Sequence, residues 1–202
     1  MRTRVIVGMV CLVMANEAMA QVSSPQQLFE SGQNEQAAQG LAARREGGTA
    51  EPSEAFLEGL VLTKLDQADG ARQAFSRLAA SDDPAWVAVG ESALALVASD
   101  LSAARDAATR AVAAAPGLFE AQYQLGVVRA RFEDWAGCAE AFSHAAELNP
   151  SFAYAHYYAG LSYSRSGRAD RTSEHFERFL KLAPRAPERA AVESLMRTLR
   201  GR

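Results

Sequence analysis

The sequence repeats itself every 34 residues, and this period constrains the fold more than any other feature. Pro116, Pro150 and Pro184 are each 34 positions apart, and so are Phe142 and Phe176. A ladder of small residues continues the period towards the N-terminus, in steps of 34, 33, 34 and 34: Ala37, Ala71, Ala104, Cys138 and Thr172. A second ladder runs beside it: Leu41, Phe75, Ala108, Phe142 and Phe176. A fixed period of about 20 to 50 residues predicts a solenoid or another repeat array.

Each unit contains two amphipathic segments. In the best preserved unit they cover residues 120–132 and 136–148, and their apolar residues recur at steps of three and four. Such a pair cannot bury both apolar faces alone, so each pair has to pack on the next. Pro150 ends the second segment, because a proline disfavours helix at the residue before it. We therefore predict an all-α stack of antiparallel helix pairs.

The third unit resembles a tetratricopeptide repeat (TPR), whose first helix carries a leucine-glycine pair and whose second carries a small residue, a phenylalanine and an alanine before a closing proline. It matches at Leu125, Gly126, Cys138, Phe142, Ala145 and Pro150. Gln122 and Arg129 replace the family's tryptophan and tyrosine. The other units match at fewer places: Gly59, Ala71 and Phe75, then Ala104, Ala111 and Pro116, then Gly160, Tyr163, Phe176 and Pro184. The resemblance implies a right-handed superhelical α-solenoid.

The period also divides the chain. Four units are predicted at 52–84, 85–118, 119–152 and 153–186. Residues 21–51 are predicted to form a degenerate helical half-repeat, with a helix over 34–45 followed by a joint at 46–51, where Gly47 and Gly48 stand. Residues 187–202 are predicted to form a capping helix, since a terminal repeat needs one face compatible with water.

The first twenty residues have the pattern of a signal peptide. Arg2 and Arg4 precede an apolar run over 5–15, and Ala18-Met19-Ala20 has the small-x-small form of a cleavage site. A membrane anchor is the alternative, but this run is shorter than the roughly 20 residues that span a bilayer. We predict cleavage after Ala20 and a periplasmic or secreted protein. Cys138 is then the only cysteine, which excludes an intramolecular disulfide.

No motif for catalysis or for cofactor binding stands in the sequence. We therefore expect neither an enzyme nor a cofactor. The net charge of −3, without a basic stripe, argues against a nucleic-acid partner. His156 and His175 are placed to face each other across one hairpin; a metal pair is one interpretation, and two packed rings are the interpretation we favour, because no third ligand is in view. Cys138 is expected to be a buried, unreactive small residue.

In TPR proteins the first helix of each unit lines a concave groove. The resemblance implies a peptide-binding groove lined by Phe56, Lys64, Trp86, Tyr123, Val127, Arg131, Tyr154, Tyr157, Leu161 and Arg165. Rings supply contact area and arginine binds carboxylates, which suits a peptide. The alternative is that these aromatic residues belong to the core. Residues such as Val89 and Leu60 replace the Lys and Asn clamp of the family's chaperone-tail receptors, so we do not expect that function.

The sequence thus favours a scaffold that binds a protein or peptide segment in its groove. A second hypothesis is a structural accessory subunit of a cell-envelope complex, bound through the convex face or the capping helix. A hydrolase or metal site is the third. The partner's identity and the oligomeric state do not follow from the sequence, because one fold serves many functions.

Overall fold

The computed structural model describes residues 23–201, so the predicted leader and its cleavage site lie outside the described residues. This part of the chain is all-α and contains no strand, which confirms the predicted fold class. Its helices are α1 Pro25–Glu30, α2 Asn34–Glu46, α3 Pro52–Lys64, α4 Ala68–Ala79, α5 Pro84–Val97, α6 Leu101–Ala114, α7 Phe119–Arg131, α8 Trp135–Leu148, α9 Ala153–Arg165, α10 Ala169–Leu182 and α11 Arg189–Arg200. None of the described helices is long and apolar enough to cross a bilayer.

The helices stack in chain order, and each packs on the next. Helices α3 to α10 form four pairs, preceded by α1 and α2 and followed by α11. The first helices of the pairs also approach each other: α5 contacts α7, and the ring of Phe56 on α3 lies 5.9 Å from that of Tyr123 on α7. The arrangement is an α-solenoid. We call the surface formed by α3, α5, α7 and α9 the inner face; it corresponds to the predicted groove.

The backbone repeats with the same period as the side chains. In five hairpin turns the second residue after the first helix has a left-handed φ of 58° to 79°: Gly32, Asp66, Ser99, Glu133 and Gly167. Only glycine adopts this conformation without steric cost. Because Gly32 belongs to the series, α1 and α2 form a further pair whose first helix is shortened to six residues.

Glycines in the first helices make room for rings of the second helices. A Cβ atom added at these glycines would lie 2.1 to 2.9 Å from the facing ring: Gly59 and Phe75, Gly126 and Phe142, Gly160 and Phe176. The second unit lacks both partners, since Ala93 and Ala108 occupy the two positions and are both buried. The two departures therefore compensate each other, because a position that faces no ring does not need a glycine.

The two ends of the stack are held by different contacts. At the N-terminal end the buried carboxylate of Glu58 on α3 pairs with Arg45 of α2 and Arg77 of α4. At the other end Val192 and Met196 of α11 are buried in one cluster with rings of α10. Helix α11 thereby covers the apolar side that the last pair would expose.

Candidate functional site

The inner face contains a buried cluster of aromatic rings. Tyr123 lies at its centre, with ring centroids 5.1 Å from Phe142, 5.5 Å from Phe152 and 6.1 Å from Tyr158. Tyr154 continues the cluster at 6.1 Å from Tyr158. Burial raises the pKa of Tyr123, and it raises that of Tyr158 to about 12. These hydroxyl groups therefore remain neutral at physiological pH.

The structure separates the predicted groove residues into three groups. Phe56, Tyr123 and Tyr154 are only 1 to 2 % exposed and belong to the core. They offer no surface to a partner in this conformation, so the core alternative applies to them. The partly buried residues are Trp86, Val127, Tyr157 and Leu161, and the exposed ones are Lys64, Arg131 and Arg165.

Tyr157 is a predicted groove residue that keeps an accessible surface. Its ring lies 5.1 Å from both Tyr158 and Phe179, so one side of it is packed. Burial raises the pKa of Tyr157 and the charge of Glu188 adds to this, while the positive charges of Lys64 and Arg165 oppose it. An apolar ring beside charges of both signs is an arrangement that binds polypeptide segments well.

An ion pair ties the first unit to the end of the stack. Lys64, the last residue of α3, donates to Glu188 over 2.8 Å and lies 5.3 Å from the centroid of the Tyr154 ring. The hydroxyl of Tyr154 donates to the same carboxylate over 3.0 Å. Burial alone would raise the pKa of Glu188, but the hydrogen bonds from Lys64 and Tyr154 help to lower it below its usual value. Lys64 is thus engaged within the chain.

The other two basic residues of the predicted groove differ from Lys64. Arg165 lies over the ring of Trp135, 4.2 Å from its centroid, in a cation–π contact. Arg131 is exposed, and within residues 23–201 no ion pair involves it. Arg131 is therefore available to a carboxylate of a partner.

Helix α1 occupies the other end of the inner face, which the sequence did not predict. Phe29 is buried, and its ring centroid lies 4.9 Å from that of Tyr154 and 6.5 Å from that of Phe152. The backbone N–H of Ala153 donates to the carboxylate of Glu30 over 2.7 Å. The side chain of Gln26 donates to the carbonyl of Ser151 over 3.3 Å, in a contact that spans 125 positions of sequence.

Burial raises the pKa of Glu30 to about 7, although the hydrogen bonds from Ala153 and Gln26 lower it. A crevice of about 700 Å³ remains between α1 and the end of α10, lined in part by Gln27, Glu30 and Pro184. The turn after α1 lies against Pro187: a Cβ atom at Gly32 would come within 2.7 Å of the proline ring. Helix α1 is therefore held by contacts with the C-terminal part of the stack as well as by its packing on α2.

The histidines predicted to face each other do so. The Nδ1 atoms of His156 and His175 lie 3.2 Å apart, and Nε2 of His175 lies 3.2 Å from the hydroxyl of Ser143. Burial lowers the pKa of His156; burial and the neighbouring His156 lower that of His175 to about 4. Both rings are neutral at pH 7. In the described part of the chain no group of three or more His, Cys, Asp or Glu residues is placed to hold a metal ion.

Cys138 is buried between two units. Its Sγ lies 3.3 Å from the carbonyl of Gly126 and 3.0 Å from the hydroxyl of Ser162. Burial raises the pKa of the thiol, so the reactive thiolate is rare at neutral pH. Cys138 occupies the repeat position that carries a small residue in every unit, and its side chain fills the narrow space between the helices there.

No family model matches the sequence, and no curated protein matches it. Similarity is found among solved structures. The thermophilic TPR protein TTC0263 of Thermus thermophilus superposes with a TM-score of 0.60 at 15% identity, over 87% of this chain and 94% of that chain. A crystal structure of MamA gives 0.48 at 19% identity, over 79% and 94%, and MamA of Desulfovibrio magneticus RS-1 gives 0.47 at 23% identity, over 78% and 90%.

At these identities the similarity concerns the fold. The superposition on TTC0263 extends over nearly the whole of both chains. It agrees with the 34-residue period, with the left-handed turns and with the glycine–ring pairs. The chain therefore has the fold of a tetratricopeptide repeat protein.

Proposed function

We propose that this protein is a periplasmic or secreted scaffold that binds a segment of another protein on its inner face. The observation that carries the proposal is the accessible edge of the inner face, where the half-buried ring of Tyr157 lies near basic side chains. A ring supplies contact area at little rotamer cost, and an exposed guanidinium binds carboxylates in bidentate fashion. The predicted leader supports the location.

The test is a pulldown from envelope extracts with the wild-type chain and with Tyr157→Ala plus Arg131→Glu. The two residues belong to α7 and α9, whose surface is the inner face, and Arg131 is exposed. The double variant should therefore lose the partner while keeping the fold. The matched control is Phe132→Ala plus Lys181→Glu, which changes one exposed ring and one exposed cation elsewhere. Equal recovery with all three proteins would refute binding on the inner face.

A partner recovered equally by these variants would favour the structural alternative, in which the convex face or α11 is bound. Leu148 supports a second surface of this kind, since it is an exposed large apolar residue on the second helix α8. Leu148→Asp should then abolish recovery. Catalysis is not part of the proposal. Metal analysis of the purified protein tests the remaining hypothesis, because the paired imidazoles of His156 and His175 are the only candidate ligands that we infer.

A further inference from the structure

Helix α1 packs on α2 and also contacts the start of α9 on the inner face. Its contacts with residues 151–154 come from one side of the helix, at positions i, i+3 and i+4: Gln26, Phe29 and Glu30. All of them reach residues 151–154, more than 120 positions away. A surface that receives a peptide from its own chain in this way has the shape and chemistry to receive a similar peptide from another protein.

The receiving surface specifies which side chains it accepts. The rings of Phe152 and Tyr154 form an aromatic seat for Phe29. Next to this seat the N–H of Ala153, the first residue of α9, has no acceptor within its own helix and points to Glu30. The surface therefore accepts an aromatic residue followed directly by a residue whose side-chain oxygen accepts this hydrogen bond, such as glutamate or glutamine.

Helix α1 is a weak occupant of this surface. It has six residues, well below the length at which helices of about 12 to 15 residues become marginally stable in water. Its ends are capped, by Ser24 and a first-position proline at one end and by the left-handed Gly32 at the other, so the short length is what limits its stability. Burial of Glu30 opposes docking whenever its carboxyl is ionised, and the adjoining crevice leaves one side of the helix without packing.

We propose that α1 is a built-in occupant of the inner face, and that the external partner presents a phenylalanine followed by a glutamate or glutamine on a short helix and takes the place of α1. This inference rests on the proposed function, since it names the class of segment that the scaffold binds. The chain with α1 docked is the closed form, and a partner binds the fraction in which α1 has left the surface.

The experiment uses the purified chain from Gln21 to Arg202 and a fluorescent peptide of residues 23–33, whose sequence is SSPQQLFESGQ. Binding is followed by fluorescence anisotropy. Apparent affinity falls in proportion to the fraction of open protein, so Phe29→Ala in the protein should bind the peptide at least about tenfold more tightly than the wild type. Phe132→Ala, a ring truncation outside the inner face, should behave as the wild type does. A peptide carrying Ala and Lys in place of Phe29 and Glu30 should not bind.

A second measurement does not depend on the added peptide. The N–H of Ala153 should exchange slowly in the wild type, because Glu30 accepts its hydrogen bond in a buried site. It should exchange at least about tenfold faster in Phe29→Ala and in Glu30→Lys, and slow exchange should return when the peptide is added. Circular dichroism verifies that the variants fold. If Phe29→Ala does not fold, the comparison is made with Glu30→Lys alone.

Equal peptide affinity for the wild type and both folded α1 variants would overturn the inference, as would slow exchange of Ala153 in all of them. These failures are distinct from failure of the proposed function. If envelope extracts yield a partner that depends on Tyr157 but not on α1, the scaffold stands and the inference is lost. If the peptide binds the opened chain but no partner is recovered, α1 is a displaceable occupant of the inner face, but the scaffold proposal fails and the external partner with it.

Discussion

Replacing Glu30 with glutamine tests whether the buried carboxyl of α1 makes stability depend on pH. Its pKa rises from 4.5 in the unfolded chain to about 7, with burial as the largest cause. A carboxyl group with a higher pKa in the folded state favours folding while it is protonated, and this contribution is lost as the pH rises. The loss begins near pH 4.5 and is complete above about pH 7.

The shift corresponds to about 3 kcal/mol, since one pKa unit is worth about 1.4 kcal/mol. Linkage gives a loss of about 1 kcal/mol at pH 5 and about 3 kcal/mol at pH 8, relative to the protonated group. Glutamine keeps an oxygen that accepts from the N–H of Ala153 and carries no charge. Glu30→Gln should therefore be more stable than the wild type by these amounts, with the larger gain at pH 8.

His175 acts in the opposite direction. Its pKa is about 4 in the folded state, so the unfolded chain binds its proton first as the pH falls below about 6.5, and folding is disfavoured by about 2 kcal/mol at pH 5. In the wild type the two contributions nearly cancel between pH 5 and pH 8. Glu30→Gln removes one of them, so the gain in the free energy of unfolding over the wild type should widen by about 2 kcal/mol from pH 5 to pH 8.

The assay is urea unfolding followed by circular dichroism at several values between pH 5 and pH 8. Glu140→Gln is the control, because Glu140 is exposed on α8 and neutralising it changes the net charge equally. If the curves of Glu30→Gln and the wild type stay parallel over the whole range, the carboxyl does not titrate as its burial requires. The account of α1 as a docked helix with a desolvated acid would then be wrong.

Three further predictions concern the repeat itself. Glu133→Gly should raise the free energy of unfolding in urea by about 1 kcal/mol, because its φ of 58° strains a residue with a Cβ, and Gly167→Ala should lower it by a similar amount. Ala108→Phe should destabilise the chain by about 1 to 3 kcal/mol through overpacking. Adding Ala93→Gly should recover most of this loss. A double-mutant cycle measures the coupling, and additive effects of the two substitutions would refute the compensation. Cys138 should react with a thiol reagent only as fast as the chain unfolds, which alkylation rates at increasing urea concentration would show.

The fold was largely predictable because its information is local and repeated. A proline, a glycine and a ring at a fixed spacing specify one helix pair; the third and fourth units carry all three, and the first two units carry part of the pattern in the same register. The predicted helix over 34–45 is observed as Asn34–Glu46, and the predicted capping helix as Arg189–Arg200. The joint lies between α2 and α3, where Gly48 has a φ of 70°.

The candidate site was predictable only in part. The resemblance placed Phe56, Tyr123 and Tyr154 on the inner face, but the accessibility of these rings depends on how closely helices from distant units approach. No local pattern encodes that distance. The sequence around Phe29 likewise does not show where its ring packs. A short helix was predictable there, because Ser24 and Pro25 favour a helix start and a Leu-Phe pair follows in a polar stretch.

The length of α1 explains why the inner face has two unlike ends. A first helix of 13 residues, such as α3, is about 20 Å long, whereas the six residues of α1 extend about 9 Å. Helix α1 therefore reaches the seat at Phe152 and the amide of Ala153 but leaves the edge at Tyr157 accessible. A partner that contacts only the accessible edge binds without moving α1, and one that also presents an aromatic residue followed by a glutamate or glutamine has to displace it. The pulldown from extracts thus tests the accessible edge at Tyr157, and the peptide experiment tests the seat at Phe152. A partner that contacts both ends of the inner face should be recovered more efficiently by Phe29→Ala than by the wild type.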